Sequence, residues 1–290
     1  MKKNIIFILL FFVLTCSCVG FLAGEGLAQE NTPAQNGEVQ WWWKKDKARD
    51  SEQGIPELKG GSEADQRVQE PLGLDELQAR YPDTVFLHGP TTENRVALTF
   101  DDGPDPRFTP EVLDVLAEYN VPATFFLMGA RAEESPELAR RITEEGHVVG
   151  NHTFWHPDLV EEGDIETLVN EVTRTEDTLA NIIDYRTTLF RPPYGFLYDE
   201  LVEELQELEY SVIAWSVDSL DWQNIGPQEI AQNVFEDIHP GAIILMHDGA
   251  PAEEDRTETI ESLREIIPVL QEQGYEFVTV PDLLNIPYQR

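Results

Sequence analysis

From residue 95 onward, apolar positions alternate between two patterns. Short runs of β-branched and aromatic residues read as strands at 96–100, 123–128, 147–150, 188–190, 211–216, 242–246 and 276–279. Between most of them lie longer stretches with apolar residues three and four apart: 109–119, 135–145, 165–183, 198–208, 228–238 and 257–273. That spacing predicts amphipathic helices. Pro110 after Thr109, and Pro136 after Ser135, mark two helix starts, where a missing N–H costs nothing. Strands alternating with helices predict an α/β fold with about seven parallel strands, closed or nearly closed as a barrel. In such barrels the chemistry sits at the C-terminal strand ends, so the residues just past each strand matter most.

From 29 to 92 no period lasts, and Pro, Gly, Glu and Gln dominate. This reads as an N-terminal arm or linker leading into a domain at 93–290, with 75–80 as a turn or two of helix. Trp41, Trp42 and Trp43, followed by Lys44 and Lys45, either touch a glycan or membrane interface or dock the arm on the domain. Docking is slightly favoured.

The start of the chain bears on the compartment. Lys2 and Lys3 precede an apolar run at 5–14, and small residues come after it at Gly26 and Ala28. This is the layout of a secretory signal peptide, 1–28, cleaved after Ala28 and leaving a secreted or cell-wall-associated protein. The apolar stretch also approaches the length of a membrane span, so an uncleaved anchor is the alternative. Cys16 and Cys18 lack a good lipobox, and both lie in the leader. The mature chain would then have no cysteine, which excludes disulfides and thiolate metal sites.

The 290-residue chain has a net charge of −35, which argues against nucleic acid or an anionic membrane surface as partner. Lys59 is the last lysine, and every later cation is Arg or His. Such acidity suits a saline or alkaline medium, or simply an acidic secreted protein.

The candidate chemistry stands where the barrel expectation places it. Asp101 and Asp102 follow the first strand, an arrangement that is costly unless one carboxylate is neutralised, for example by a metal. His152 and His156 follow the third strand, four apart on one face of a helical turn. One carboxylate with two imidazoles suits zinc or a similar ion with open positions. After the fourth strand, Pro192 and Pro193 make a rigid turn that can aim the Tyr194 amide at an oxyanion. Arg191 can orient Asp101 through a fork of hydrogen bonds. His247 can act as a general acid if Asp221 raises its pKa, and Trp222 with Leu245 can wall an apolar subsite. Each of these residues alone has a plain structural reading. Five polar groups at five strand ends do not.

Taken in order, Thr-Phe-Asp-Asp-Gly-Pro (99–104), His-Thr-Phe-Trp-His (152–156), Arg-Pro-Pro-Tyr (191–194), Asp-Ser-Leu-Asp-Trp (218–222) and Leu-Met-His-Asp (245–248) resemble the five motifs of the polysaccharide deacetylases. This is carbohydrate esterase family 4, or the NodB-homology domain. The resemblance spans roughly 93–285 and implies a distorted, incomplete (β/α) barrel. It implies one divalent ion, usually zinc and sometimes cobalt or another, held by Asp102, His152 and His156. It further implies Asp101 as general base, Arg191 as its orienting partner and the Tyr194 amide as oxyanion donor. His247 would be the acid, tuned by Asp221, and Leu245 and Trp222 would line the acetyl pocket. The implied substrate is an N-acetylated polysaccharide such as peptidoglycan or a chitin-like polymer. The rivals are an acetylxylan-type esterase and a catalytically silent glycan-binding module, whose expected broken ligand set is not found here.

Overall fold

The structure is a computed structural model and describes residues 54–63, 73–161 and 164–290. The leader and Trp41, Trp42 and Trp43 lie outside the described residues. No helix among the described residues is long and apolar enough to cross a membrane.

The strands are β1 (Val85–Phe86), β2 (Arg95–Asp101), β3 (Thr124–Leu127), β4 (Val148–Asn151), β5 (Leu189–Phe190), β6 (Ser211–Ile213), β7 (Val217–Asp218), β8 (Ile243–His247) and β9 (Glu276–Phe277). The helices are α1 (Leu74–Arg80), α2 (Thr109–Tyr119), α3 (Gly129–Glu134), α4 (Pro136–Glu144), α5 (Ile165–Ile183), α6 (Asp199–Glu207), α7 (Pro227–Asp237), α8 (Thr257–Glu272) and α9 (Val280–Leu284). The sheet runs β1-β6-β5-β4-β3-β2-β8-β7, with β9 added beside β2. Every ladder between these strands is parallel. The sheet curls into a half-barrel whose end strands, β1 and β7, stay unjoined.

Successive side chains of a strand point to opposite faces, and the two faces pack different cores. Ala97, Phe126, Val148, Leu189, Ile213 and Ile243 fill the inner face, where Val280 and Leu283 of α9 join them. Val96, Leu98, Phe100, Phe125, Val149 and Ile244 face outward into the cluster shared with α2, α4, α7 and α8. The α5 stripe of Leu168, Val172, Thr175 and Leu179 has the spacing that buries one helix face, and Asp164 caps its start by accepting from Thr167 N at 2.8 Å. Ser135 precedes Pro136 at the start of α4 but makes no side-chain cap.

Several elements differ from expectation. The run at 211–216 is strand only over its first three residues, β6: the chain leaves the sheet beside β5 and β1, and rejoins it just past the run as β7 beside β8. Strand β1 pairs with β6 through Val85 and Phe86, so the sheet takes in residues before 93. Residues 54–63 also lie against the fold, through Lys59 N to Trp155 O at 2.6 Å and Gly60 N to His156 O at 2.9 Å.

Candidate active site

The inner face of the barrel builds the site. Ala97, Thr99 and Asp101 alternate along β2; Ile243, Leu245 and His247 alternate along β8; and Leu189 leads to Arg191 just past β5. The row that is apolar at the bottom of each strand becomes polar at its C-terminal end. The same pleat therefore buries the core and presents the chemistry.

Asp102, His152 and His156 each offer a ligand atom within 4.8 Å of the others, and all three residues are buried. Asp102 Oδ1 lies 3.4 Å from His152 Nε2 and 3.2 Å from His156 Nε2. The far ring nitrogens are engaged elsewhere: His152 Nδ1 lies 2.7 Å from Arg191 O, and His156 Nδ1 lies 3.1 Å from the Tyr194 hydroxyl. A carbonyl can only accept, so His152 carries its proton on Nδ1 and turns the Nε2 lone pair to the centre. Both Asp102 oxygens and both Nε2 atoms are buried without a hydrogen-bond partner. Four such atoms would cost roughly 1–3 kcal/mol each, a large share of the roughly 5–15 kcal/mol that holds a domain together. A cation bound among them removes that cost, and the donor set of one carboxylate and two imidazoles fits a zinc-type ion.

The electrostatics mark the same point. Burial opposes ionisation of Asp102, yet the imidazoles of His156 and His152 hold it well below the usual carboxylate range. Burial also opposes protonation of His152, but Asp101 and Asp102 raise its pKa, while burial takes His156 down to about 4.

The loops that carry the candidate ligands are strained and braced. Asp102, Thr153 and His156 have φ of 70°, 64° and 56°, each costing about 1–3 kcal/mol for a residue with a Cβ. The buried Arg131 donates to Asp102 O at 2.9 Å, and a Cβ on Gly249 would stand 2.3 Å from that same oxygen. Glu171 Oε2 accepts from Phe154 N at 2.8 Å and Trp155 N at 2.7 Å, holding the turn that carries both histidines. Neither Arg131 nor Glu171 stood out in the sequence. A signal existed for Glu171, because it interrupts the buried stripe of α5 between Leu168 and Thr175.

Arg191 is fully buried and donates through Nη1 to Asp101 Oδ1 at 2.8 Å. The expected fork onto Asp101 is a single bond. Nη1 also donates to Thr99 Oγ1 at 2.7 Å, while Nε and Nη2 donate to Ile213 O at 2.9 Å and Ala214 O at 3.1 Å, because β6 ends against them. The other Asp101 oxygen, Oδ2, lies 3.9 Å from His152 Nε2, on the ligand side.

His247 Nδ1 meets Asp221 Oδ1 at 2.8 Å, and Asp221 Oδ2 accepts from His247 N at 2.9 Å and Thr259 Oγ1 at 2.8 Å. Burial alone would depress His247, but Asp221 raises it well above the ordinary value, and its charge in turn lowers Asp221 despite burial. Tyr194 has φ 59° in the turn after Pro193, which swings its backbone out of the extended run. Leu245 pairs in register with Asp218, whose carboxylate accepts from Trp222 Nε1 at 3.2 Å, so Leu245 and Trp222 are joined through Asp218.

A parallel half-barrel with a candidate ligand triad, an Asp–Arg pair and a His–Asp pair on one rim has the chemical parts of a hydrolytic site. The model of the family described as polysaccharide deacetylase matches residues 88–213. A chitooligosaccharide deacetylase of Sinorhizobium fredii is 42% identical over 213 residues, covering 70% of this chain and 98% of its own. A peptidoglycan-N-acetylglucosamine deacetylase of Bacillus cereus is 39% identical over 202 residues, covering 70% of this chain and 72% of its own. Among solved structures, a peptidoglycan N-acetylglucosamine deacetylase in complex with 4-naphthalen-1-yl-N-oxidanyl-benzamide superposes with a TM-score of 0.70 at 37% identity, covering 73% of this chain and 98% of that one. The chain belongs to the polysaccharide deacetylase family.

Proposed function

We propose that this enzyme removes the acetyl group from N-acetylglucosamine units of a peptidoglycan- or chitin-type polysaccharide. The observation that carries the reading is the convergence on one rim of the Asp102, His152 and His156 ligand atoms with the Asp101–Arg191 and His247–Asp221 pairs. Asp102, His152 and His156 would hold one divalent ion, zinc or a similar one. When bound, such an ion polarises the acetyl carbonyl and brings the pKa of water toward about 7.

The chain's own groups do the rest. Asp101, fixed through Oδ1 by Arg191, takes a proton from the attacking water at Oδ2. The water oxygen bonds to the acetyl carbon while the Tyr194 amide stabilises the charge growing on the acetyl oxygen. His247, held through Nδ1 by Asp221, gives its Nε2 proton to the departing nitrogen. The C–N bond breaks, and acetate and a free amine leave. Leu245 and Trp222 hold the acetyl methyl. The leader supports action outside the cell, either released or anchored at the N-terminus.

Acetate release from chitopentaose, peptidoglycan and acetylxylan, each with and without a chelator, tests the reading. Release from the first two that stops on chelation is expected. Release from acetylxylan alone makes the enzyme an ester hydrolase. No release from any substrate with metal supplied leaves a glycan-binding module.

A further inference from the structure

The ligand triad, the base and the acid are all almost fully buried: Asp101 is 2%, Asp102 1%, His156 0% and His247 0% exposed. Little of their surface is open to solvent in this arrangement. Residues 54–63 are part of the cover. They run across the rim and bind the very loops that carry the site. Lys59 N donates to Trp155 O at 2.6 Å, and Gly60 N donates to His156 O at 2.9 Å. The Tyr194 hydroxyl donates to Gly61 O at 2.9 Å, and Arg131, which braces Asp102, donates through Nε to Pro56 O at 3.0 Å. The Ser62 hydroxyl bonds to Glu254. Ile55 and Leu58 bury their side chains, and Glu63, only 3% exposed, brings Oε2 to 3.7 Å from His247 Nε2.

We propose that residues 54–63 are an internal occupant of the substrate cleft, which the polysaccharide must displace before it can bind. The proposal rests on the deacetylase reading for the identity of the displacing ligand. The placement of Glu63 gives it chemical content. The proposed reaction releases a carboxylate beside His247, and Glu63 sets a carboxylate beside that same nitrogen, as a product would. The segment is held by hydrogen bonds to its main chain at Pro56, Lys59, Gly60 and Gly61, with Ile55 and Leu58 as apolar anchors. These are set against the entropy of ordering ten residues, so the docked segment is exchangeable rather than permanent. The fit also depends on one residue having no side chain. A Cβ on Gly60 would stand 2.4 Å from the Tyr194 hydroxyl oxygen and 3.0 Å from Asp158 N. A side chain there would have to push the Tyr194 ring aside, so the docked segment favours glycine.

The test uses the full chain with chitopentaose as probe. Binding is measured by calorimetry for the wild type, Gly60→Val and Glu63→Gln, and amide hydrogen exchange is followed at Lys59 and Gly60. Gly60→Val is expected to lower Kd at least tenfold, with a smaller gain for Glu63→Gln. In the wild type, saturating chitopentaose is expected to speed exchange at both amides. An unchanged or raised Kd in Gly60→Val, or amides that stay protected with ligand bound, overturns the proposal. Should Gly60→Val fold poorly, wild-type exchange decides alone. Acetate is assayed in the same samples. Tighter binding without acetate from any form supports displacement and overturns the deacetylase reading instead.

Discussion

Asp101 and His247 are register partners on adjacent parallel strands, β2 and β8. Neighbouring strands lie about 4.8 Å apart, so the two backbones hold the proposed base and acid close at a fixed spacing. The ladder is continuous from Ala97↔Ile243 to Asp101↔His247, which makes the spacing a property of the sheet rather than of loops.

The two groups should be separable from the ligand triad. Asp101→Asn and His247→Ala are each expected to cut kcat by roughly 10²–10⁴ while metal content stays near that of the wild type. His152→Ala is expected to lose the metal itself. Metal analysis beside turnover makes the distinction; a His247→Ala protein stripped of metal contradicts the acid role.

The proposed acid, His247, needs its proton, and Asp221 favours it there. His247 is raised well above its ordinary value, so its protonated, active form persists at neutral pH and is lost only as pH climbs through that raised pKa. Asp221→Asn removes the larger of the two charges that raise it, Glu63 supplying the other. The alkaline limb of kcat should then move to lower pH, and turnover at neutral pH should fall on the order of 10²-fold. A pH–rate profile that is merely scaled down, with no displaced limb, speaks for a structural role.

Glu171 holds the histidine turn by accepting two backbone N–H groups. Glu171→Leu leaves both buried and unpaired, at a cost of roughly 2–6 kcal/mol. Melting temperature and metal affinity should fall together, and Glu171→Gln, which keeps an acceptor oxygen, should recover much of both. Equal losses in the two variants contradict the acceptor role.

A stability effect is expected away from the site. His147 accepts from Ala123 N at 3.1 Å through Nδ1, and burial lowers its pKa to about 4. Between that value and about 6.5 the unfolded chain binds the extra proton. Stability from neutral His147 is therefore present above about 6.5 and lost as pH falls toward 4, by roughly 3 kcal/mol at most. Urea unfolding of the wild type and His147→Leu at pH 7 and 4.5 isolates it: the gap between the two should shrink in acid.

The elements legible in the sequence are those with room to show a period. Helices α2 and α5 stand at the expected residues, because a full apolar stripe over 11 and 19 residues has no other use. Strands β1 and β7 have two residues each, too few to show any period, and α3, with Gly129 and Ala130 at its start, carries no stripe. The site residues at strand ends were legible because a polar residue that ends an apolar row is conspicuous. Arg131 was not, because it sits on a helix and only the folded arrangement brings it to the backbone of Asp102; Glu171 showed only as a charge within a buried stripe, with nothing local to say which N–H groups it meets. The Arg191 fork failed for a similar reason: carbonyls of β6 and the residue after it claim the guanidinium, and no local pattern announces them.

Lys59 has a use of its own. No lysine comes after it in the chain, so a lysine-specific endoprotease has nothing to cut in residues 60–290. The last bond open to it joins Lys59 to Gly60, whose two amides are tied to Trp155 and His156. Proteases need an extended, accessible strand, so a cut at this bond requires the segment to lift. Digestion of the native protein thus becomes a clock with one hand: the rate of cleavage at that bond reports how readily the segment lifts.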